Sequence, residues 1–325
     1  MIELVAFDPG ANAAKARAKL GAILVPSTIA VNGQEHVHNL VGMRTLRRPL
    51  TITVGGQVYS VGSGAHDFGR PVENLDFERL AGAPEMRALF YATLSRLFEN
   101  CVPQPITLLV GLPIAAMTGE EAPETLKRVK AFFAGEHRWQ ADGAEQHTEV
   151  ASVLVTGQPV GALFEYFLTD DGTPHAGRRD DYKKEVAVLN LGMSTVDLLS
   201  SRQGQIVERL TGGETLGVQD MLNELSRTRG YTVAELDEQM RANRLDISGL
   251  LPVWERRVFG YLDKVWGRDG QRRFARVIAT GGGTYLLKDA LLRRFGARLY
   301  LADDPVRATV NGLYRFGLKQ QRKEA

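Results

Sequence analysis

Residues 186–199 read VAVLNLGMSTVDLL. An apolar run ends at Asn190, and a glycine and small hydroxyl side chains follow it before the sequence becomes apolar again. This pattern predicts a strand that leads into a tight polar turn. Because glycine lets the backbone approach a ligand and adopt positive φ, consecutive N–H groups of such a turn can form a concave anion site. A phosphate-binding turn of this shape more usually carries a carboxylate at the position of Asn190.

Two further stretches have a glycine turn at the end of an apolar strand. Aligning AFDPGANAAK (residues 6–15) with VLNLGMSTVD (188–197) places Asp8 over Asn190, Gly10 over Gly192 and Asn12 over Ser194. The third stretch, ATGGGTYLL (279–287), has three consecutive glycines before an apolar helical pattern. Neither GxGxxG nor GxxxxGK[ST] occurs in the chain, so the Rossmann and P-loop motifs are not supported.

The composition is that of an ordinary soluble protein, with 44% hydrophobic and 24% charged residues among 325. A chain of this length predicts two domains. The net charge of +2 gives no electrostatic case for binding nucleic acid or a membrane directly. The single cysteine, Cys101, and an N-terminus without a basic region before an apolar core favour a cytoplasmic protein.

Each half of the chain begins with a strand, a glycine turn and further strands, and adds helices later. The pattern predicts a hairpin around Gly55 and Gly56, a helix that begins at Pro84 and a C-terminal helix that Pro305 starts. The polar segment DDGTPHAGRRDDYKK (170–184) is the best candidate for a linker between the halves.

The ordered set of motifs resembles the actin superfamily, and within it the ParM-like plasmid-segregation actins and the archaeal actin-like ATPases. In that superfamily a phosphate loop, a connecting helix, a second phosphate loop, an adenosine loop and a second connecting helix follow one another. The corresponding stretches here are, in that order, FDPGANAAK, GQPVGALFEY, LNLGMSTVD, ATGGGTYLL and DPVRATVNGLYRFG. They extend over nearly the whole chain, and their order is more specific than any one of them.

The resemblance implies an α/β, actin-like (ribonuclease H-like) fold with two similar domains around a nucleotide cleft. Domain I would comprise residues 1–169, with a small insertion near 33–80, and the C-terminal helix 305–325 would complete it. Domain II would comprise residues 183–304, with a helical part near 214–270, and residues 170–182 would be the linker.

The resemblance also implies ATP or GTP with Mg²⁺ as cofactors. Asp8 would orient Mg²⁺ through water, Lys15 would pair with phosphate oxygens, and Gln158 would position the attacking water. The remaining implied nucleotide contacts are Gly10, Ala11 and Asn12 in the first loop, Gly192, Met193, Ser194 and Thr195 in the second, Gly281, Gly282 and Gly283 in the third, and Gly213 near the nucleoside.

Asn190 is the main departure from the family pattern, which has aspartate there, acting on the Mg²⁺ shell and the attacking water. Asparagine keeps a carbonyl acceptor but loses the negative charge and the capacity to act as a base. Since catalysis of phosphoryl transfer is mostly positioning and electrostatics, Asn190 should weaken hydrolysis without preventing nucleotide binding. Met193 is a milder departure. Asp197 is a second carboxylate that could be catalytic. Because it lies two residues past the turn, we expect it to stabilise the turn instead.

Three functions are compatible with these residues. The first is a protein that polymerises head to tail with ATP or GTP and hydrolyses the nucleotide slowly. It would act in plasmid or DNA segregation, through an adaptor protein, or in cytoskeletal positioning. The second is a small-molecule kinase or phosphatase on the same scaffold, although no base beyond Asp8 is evident. The third is a nucleotide-binding scaffold without useful turnover.

Overall fold

The computed structural model describes residues 2–32, 48–72, 77–99 and 101–324. The chain forms two compact units, the first of Met1–Leu108 and Thr125–Leu154 and the second of Leu109–Glu124 and Val155–Ala325. The two units do not have the same residue boundaries as the two predicted domains. The predicted domain boundaries therefore stay a prediction. Residues 33–47 and 73–76 of the predicted insertion lie outside the described part of the chain.

Among the described residues, the first unit is built on a ten-stranded sheet with two α-helices. Its strands are β1 (Glu3–Pro9), β2 (Ala13–Ala18), β3 (Gly21–Pro26), β4 (Ile29–Val31), β5 (Leu50–Val54), β6 (Gln57–Val61), β7 (Arg70–Pro71), β8 (Ile106–Leu112), β9 (Gly135–Ala141) and β10 (Ala144–Gly157). Their order in the sheet is β3-β2-β1-β8-β10-β9-β5-β6-β4-β7. The helices are α1 (Pro84–Leu97) and α2 (Ala122–Phe133), and β8, β10 and α2 each extend across a boundary between the units.

Aromatic side chains fix the end of β1. The Phe7 ring lies 5.3 Å from the Phe90 ring of α1 and 5.8 Å from the Phe133 ring of α2, both edge to face. Edge-to-face pairs at these distances stabilise a core by more than the burial of their apolar surface alone would do. Since Phe7 directly precedes Asp8, this core fixes the position of Asp8 near the end of the strand. The predicted hairpin at Gly55–Gly56 and the helix start at Pro84 are both confirmed.

The second unit has a smaller sheet flanked by helices. Its strands are β11 (Glu185–Leu191), β12 (Val196–Arg202), β13 (Gln205–Ile206), β14 (Gly212–Glu214), β15 (Arg276–Thr280) and β16 (Leu299–Leu301). The order is β13-β12-β11-β15-β16, and β14 pairs with β12. The helices are α3 (Gln158–Phe167), α4 (Arg179–Tyr182), α5 (Val218–Arg229), α6 (Val233–Arg241), α7 (Leu251–Trp266), α8 (Gly283–Phe295) and α9 (Ala308–Glu324).

Both faces of this sheet are covered, so β11 is buried along its whole length. Side chains of α3, among them Ala162 and Phe167, pack with Val188 and Ile278 on one face. The alternate strand residues pack with Trp254 and other residues of α7 and α8 on the opposite face. This alternation follows from the period of two in a strand. None of the described helices is long and apolar enough to cross a membrane.

The predicted linker carries structure of its own. It contains α4 and is part of the second unit, where ion pairs connect it to α9 and β15: Asp170 lies 2.8 Å from Arg315, and Asp181 lies 3.0 Å from Arg276. The C-terminal helix begins at Ala308 rather than Pro305. The carboxylate of Asp304 accepts hydrogen bonds from the N–H groups of the next turn, which hold that turn ahead of the helix.

Helices α3 and α9 approach closely through two glycines. A Cβ added to Gly312 would lie 1.8 Å from the carbonyl oxygen of Gly161, and one added to Gly161 would lie 2.4 Å from that of Thr309. Beside this crossing, the rings of Phe164 and Phe316 stack at 4.5 Å. The absence of side chains at the two glycines is therefore a requirement of this helix pair.

We predict that Gly312→Ala lowers the free energy of unfolding by about 3 kcal/mol, because the methyl group forces the helices apart. Gly260→Ala is the matched control, since Gly260 is an exposed residue inside α7 with open space where its Cβ would lie. That control should raise stability by about 0.5–1 kcal/mol through helix propensity. Urea unfolding of both variants measures the difference, and equal effects would contradict the close crossing.

Candidate nucleotide-binding loops

The first loop joins β1 to β2 in an antiparallel hairpin. The strands pair in a register that sets Asp8 directly opposite Lys15. The Lys15 Nζ lies 3.2 Å from the Asp8 Oδ2, and both side chains are largely buried. The spacing of seven residues between them is therefore the consequence of this hairpin register. A buried carboxylate and an ammonium group meet at the base of the loop.

The backbone of this loop is held tightly. Ser27 donates its hydroxyl to the Gly10 carbonyl at 2.7 Å and its N–H to the Asn12 carbonyl at 2.8 Å. A Cβ on Gly10 would lie 2.5 Å from the Ala13 carbonyl oxygen and 2.7 Å from the Lys15 Nζ. The backbone of Gly10 thus lies so close to the Ala13 carbonyl and the Lys15 ammonium group that a side chain at position 10 would displace one of them. Ala11 and Asn12 are partly exposed.

Arg79 is a cation beside this loop that no sequence motif indicated. It is buried, and its Nη2 donates to the Pro9 carbonyl at 3.4 Å. Burial lowers the pKa of Arg79 to about 10, and Glu85 opposes this shift. The guanidinium therefore stays charged at neutral pH and adds positive charge near the first loop.

The second loop joins β11 to β12 and repeats the register of the first. Asn190 pairs with Asp197, and the Gly192 N–H donates to the Thr195 carbonyl at 2.9 Å. The start of α5 anchors the turn, since Val218 and Gln219 donate their N–H groups to the Gly192 and Met193 carbonyls at 3.1 and 2.8 Å. Ser194 lies 3.3 Å from the Gln219 side chain.

Asp197 braces the second loop, as expected. It is fully buried, and its Oδ2 accepts the Thr195 hydroxyl at 2.8 Å while its Oδ1 accepts the Ile114 N–H at 2.9 Å. A buried carboxylate is stable only with such partners. Ile114, in the short 3₁₀ segment Ile114–Met117, was not singled out from sequence, since it carries no polar side chain.

The three glycines of the third turn have different environments. Gly281 has a φ of +86°, and its Cβ would lie 2.3 Å from the Leu191 carbonyl oxygen. Gly283 is buried, and its Cβ would lie 2.9 Å from the Trp254 ring. Gly282 is the exposed N-cap residue of α8, with open space where its Cβ would lie. Packing thus requires Gly281 and Gly283, whereas Gly282 presents an open helix N-terminus.

Gly213 lies within the brace of the second loop. It pairs with Asp197 across β14 and β12, and its Cβ would lie 2.6 Å from the Ala115 nitrogen and 2.8 Å from the Asp197 Oδ1. The fold itself therefore accounts for a glycine here.

Gln158, the first residue of α3, is buried. At the opposite end of α3, the Tyr166 hydroxyl donates a hydrogen bond to the Asp181 carboxylate. The same carboxylate accepts a hydrogen bond from Arg276, the first residue of β15. Helix α3 therefore runs antiparallel to β15, and its first residue lies toward the sheet end that carries Asn190 and Thr280. The preceding Gly157 packs on the Ile114 side chain, whose N–H group Asp197 accepts.

The predicted site residues thus form two sets, one in each unit. The first unit holds Asp8, Gly10, Ala11, Asn12 and Lys15 on one hairpin. The second unit holds Gln158, Asn190, Gly192, Met193, Ser194, Thr195, Gly213, Gly281, Gly282 and Gly283 toward one end of its sheet. Their roles toward a nucleotide stay predictions. Within the described ranges, no three His, Cys, Asp or Glu side chains form a metal-binding group.

Comparison with known proteins identifies the fold. Residues 6–161 match the family described as "Actin like proteins N terminal domain". None of the curated proteins compared with the sequence matches it. The apo ParM protein of pSK41 has a TM-score of 0.72 at 16% identity, over 99% of this chain and 98% of that one.

Two further structures are similar over nearly the whole chain. A ParM from Clostridium botulinum, in a 15-stranded filament, has a TM-score of 0.74 at 16% identity, over 97% of this chain and 99% of that one. The archaeal actin homologue Ta0583 in complex with ADP has a TM-score of 0.70 at 18% identity, over 100% of both chains. The predicted α/β, actin-like fold is therefore confirmed.

We predict that Gly281→Ala lowers the free energy of unfolding by about 2 kcal/mol or more, because positive φ and the close Leu191 carbonyl both exclude a Cβ. Gly282→Ala, one residue away, should change stability by about 0.5 kcal/mol or less, since its backbone is helical and its surroundings are open. Thermal and chemical unfolding of the two variants test the contrast. A stable Gly281→Ala protein would refute the tight contact.

Proposed function

We propose, from the family match over residues 6–161 and from the actin-like fold, that this chain is an actin-like protein that binds a nucleoside triphosphate with Mg²⁺ and polymerises in response. ATP is the expected nucleotide, and GTP is the alternative. The observation that carries the proposal is the first loop, where the largely buried Asp8–Lys15 pair lies at the base of a turn and the Lys15 ammonium group packs against the side-chain-free Gly10.

The residues of the first loop suit a magnesium-bound phosphate chain. An ammonium group such as that of Lys15 pairs with phosphate oxygens as a point charge. Mg²⁺ bound to phosphates keeps several waters and uses one or two carboxylates, so Asp8 can hold its water shell. When bound, Mg²⁺ supplies positive charge that neutralises the phosphate oxygens. The buried guanidinium of Arg79 adds to the positive potential at this loop.

The second unit, taken by itself, also offers backbone groups that suit an anion. The turn Gly192–Thr195 is a tight polar turn held from both sides, and Gly282 is an exposed residue at the N-terminus of α8 with open space where its Cβ would lie. Such turns and helix N-termini favour anions through the N–H groups and the helix dipole. Support for a nucleotide also comes from Ta0583, a protein of similar fold that was solved with ADP.

We expect hydrolysis to be slow. Gln158 is the candidate for positioning the attacking water, and Asn190 takes the place where the family carries a carboxylate. An amide has no charge with which to order the Mg²⁺ shell and cannot accept the proton of water as a base. The chain would therefore remain in its nucleoside-triphosphate state for long periods, which favours a nucleotide-gated filament over a metabolic enzyme.

Polymerisation is proposed from the relatives. Structures similar to this chain include a ParM filament and an Alp12 filament, the latter with a TM-score of 0.63. Head-to-tail contacts that do not close on themselves give open filaments. A role in plasmid or DNA segregation would require a DNA-binding adaptor protein, because the net charge of +2 does not favour direct binding.

Calorimetry and light scattering together test the proposal. The purified protein is titrated with ATP, GTP and ADP in Mg²⁺, and scattering, pelleting and phosphate release are followed with ATP and a non-hydrolysable analogue. Binding with triphosphate-dependent pelleting supports a nucleotide-gated filament. Failure of every nucleotide to bind at millimolar concentration would refute the proposal, and binding without pelleting would leave only a nucleotide-binding scaffold.

We predict that Lys15→Ala weakens ATP binding about tenfold or more, since it removes a charged partner of phosphate oxygens. Lys19→Ala is the matched control: it removes the same charge from an exposed position at the tip of the hairpin formed by β2 and β3. The control should bind ATP like the unaltered protein in calorimetry. Equal losses of ATP affinity in both variants would show that Lys15 acts only through long-range electrostatic attraction and not through a direct contact with phosphate.

We predict that Asn190→Asp raises the rate of ATP hydrolysis in Mg²⁺ by about tenfold or more, because it supplies a carboxylate that can order water and accept a proton. Asn243→Asp makes the same charge change in an exposed turn and serves as control. Phosphate release under single-turnover conditions measures the effect. An unchanged rate in Asn190→Asp would show that the amide is not what limits turnover.

A further inference from the structure

Three polar side chains form a row across the end of the second sheet. Asn190 pairs with Thr280 on β15 and with Asp197 on β12. Side chains directly opposite in paired strands lie on the same face of a sheet. All three residues are buried, with 5% of Asn190 and none of Thr280 or Asp197 exposed. This face is the one that α3 covers, because Val188, Leu199 and Ile278, two residues away along each strand, pack against α3.

The row fixes the orientation of the Asn190 amide. The Thr280 hydroxyl donates to the Asn190 Oδ1 at 3.3 Å. The same Oδ1 lies 2.9 Å from the position that a Cβ on Gly281 would occupy. The amide oxygen is therefore directed toward β15 and the third turn. Because the carboxamide is planar, its NH₂ group is directed away from β15.

Asp197, which lies on the other side of Asn190 from Thr280, does not favour the opposite orientation of the Asn190 amide. Both carboxylate oxygens of Asp197 already accept hydrogen bonds, from Ile114 and Thr195. An aspartate at position 190 would set a second carboxylate opposite Asp197, with Cβ atoms about 5 Å apart in a buried row. Like charges at that separation repel strongly where water is excluded. Asparagine removes the repulsion and offers a donor instead.

We propose that the Asn190 Nδ2 donates a hydrogen bond to a phosphate oxygen of the bound nucleotide, with Thr280 as the positioning residue that holds the amide in this orientation. The inference rests on the proposed nucleotide binding and changes the expected role of Asn190. The amide oxygen is engaged by Thr280, so Asn190 contacts phosphate directly rather than offering its carbonyl to the Mg²⁺ shell. The second loop thereby binds its ligand without needing the cation.

The test separates binding in Mg²⁺ from binding in excess EDTA. The full chain is titrated with AMP-PNP in calorimetry, as the unaltered protein and as Asn190→Asp, Thr280→Val and Thr280→Ser. Asn190→Asp has the shape of the original side chain but cannot donate. It should bind about tenfold or more weakly than the unaltered protein in EDTA, and Mg²⁺ should restore most of that loss.

The threonine variants test the positioning role. Thr280→Val keeps the shape of the side chain and removes the hydroxyl, so the amide loses its fixed orientation and AMP-PNP binds several-fold more weakly. Thr280→Ser keeps the hydroxyl and should restore the affinity, which a purely steric role of Thr280 would not explain. Thermal unfolding without nucleotide checks that each variant is folded.

The outcomes are distinct from those of the proposed function. If the unaltered protein binds no nucleotide in Mg²⁺, the proposed function itself fails. If it binds, and Asn190→Asp binds equally well in EDTA, the donor role of Asn190 is overturned. If Thr280→Val binds like the unaltered protein, or Thr280→Ser fails to restore binding although folded, the positioning role of Thr280 is overturned.

Discussion

The close approach of two backbones, at Leu191 and Gly281, determines the geometry of the second unit's candidate site. The Leu191 carbonyl occupies the space that a side chain on Gly281 would need, and Gly281 takes positive φ to pass it. This contact joins the last residue of β11 to the start of the glycine turn before α8. Asn190, directly before Leu191, consequently reaches Thr280, directly before Gly281. The second loop and the third turn are thus parts of one packed arrangement.

The two hairpin loops share a register but differ in charge. Asp8 stands opposite Lys15 in the first, and Asn190 stands opposite Asp197 in the second, each seven residues apart. In the first loop the pair is a carboxylate and an ammonium group that compensate each other. In the second the corresponding pair is an amide and a carboxylate, and backbone and hydroxyl donors satisfy the carboxylate. Of the two hairpins, the first is therefore the one that carries positive side chains, with Lys15 in the strand and Arg79 beside the loop.

The sequence predicted the elements of the fold better than the contacts that hold the loops. Strands followed by glycine turns, the hairpin at Gly55–Gly56 and the helix at Pro84 follow from local residue patterns, and the structure has them. The supports of the loops come from residues distant in the chain, such as Ile114 for Asp197 and Arg79 for Pro9. An isoleucine N–H and an arginine outside any motif give no local signal. The start of α9 was misplaced because the Pro305 carbonyl, which would accept a helical N–H in a helix that began there, accepts the Gly281 N–H at 2.7 Å.

The three consecutive glycines show how packing and ligand requirements can be separated. Glycine loses more backbone entropy on folding than any other residue, so a run of three glycines destabilises the folded state. The presence of each glycine therefore calls for a structural or functional explanation. Gly281 has one in the Leu191 carbonyl, and Gly283 has one in the Trp254 ring. These two would be glycines in this fold whether or not a ligand ever bound. Gly282 has helical backbone angles that any residue adopts, and among the described residues no atom lies close enough to exclude a Cβ. Packing therefore places no requirement for glycine on position 282, and its lack of a side chain leaves the N-terminus of α8, where an anion is favoured, uncovered at that residue.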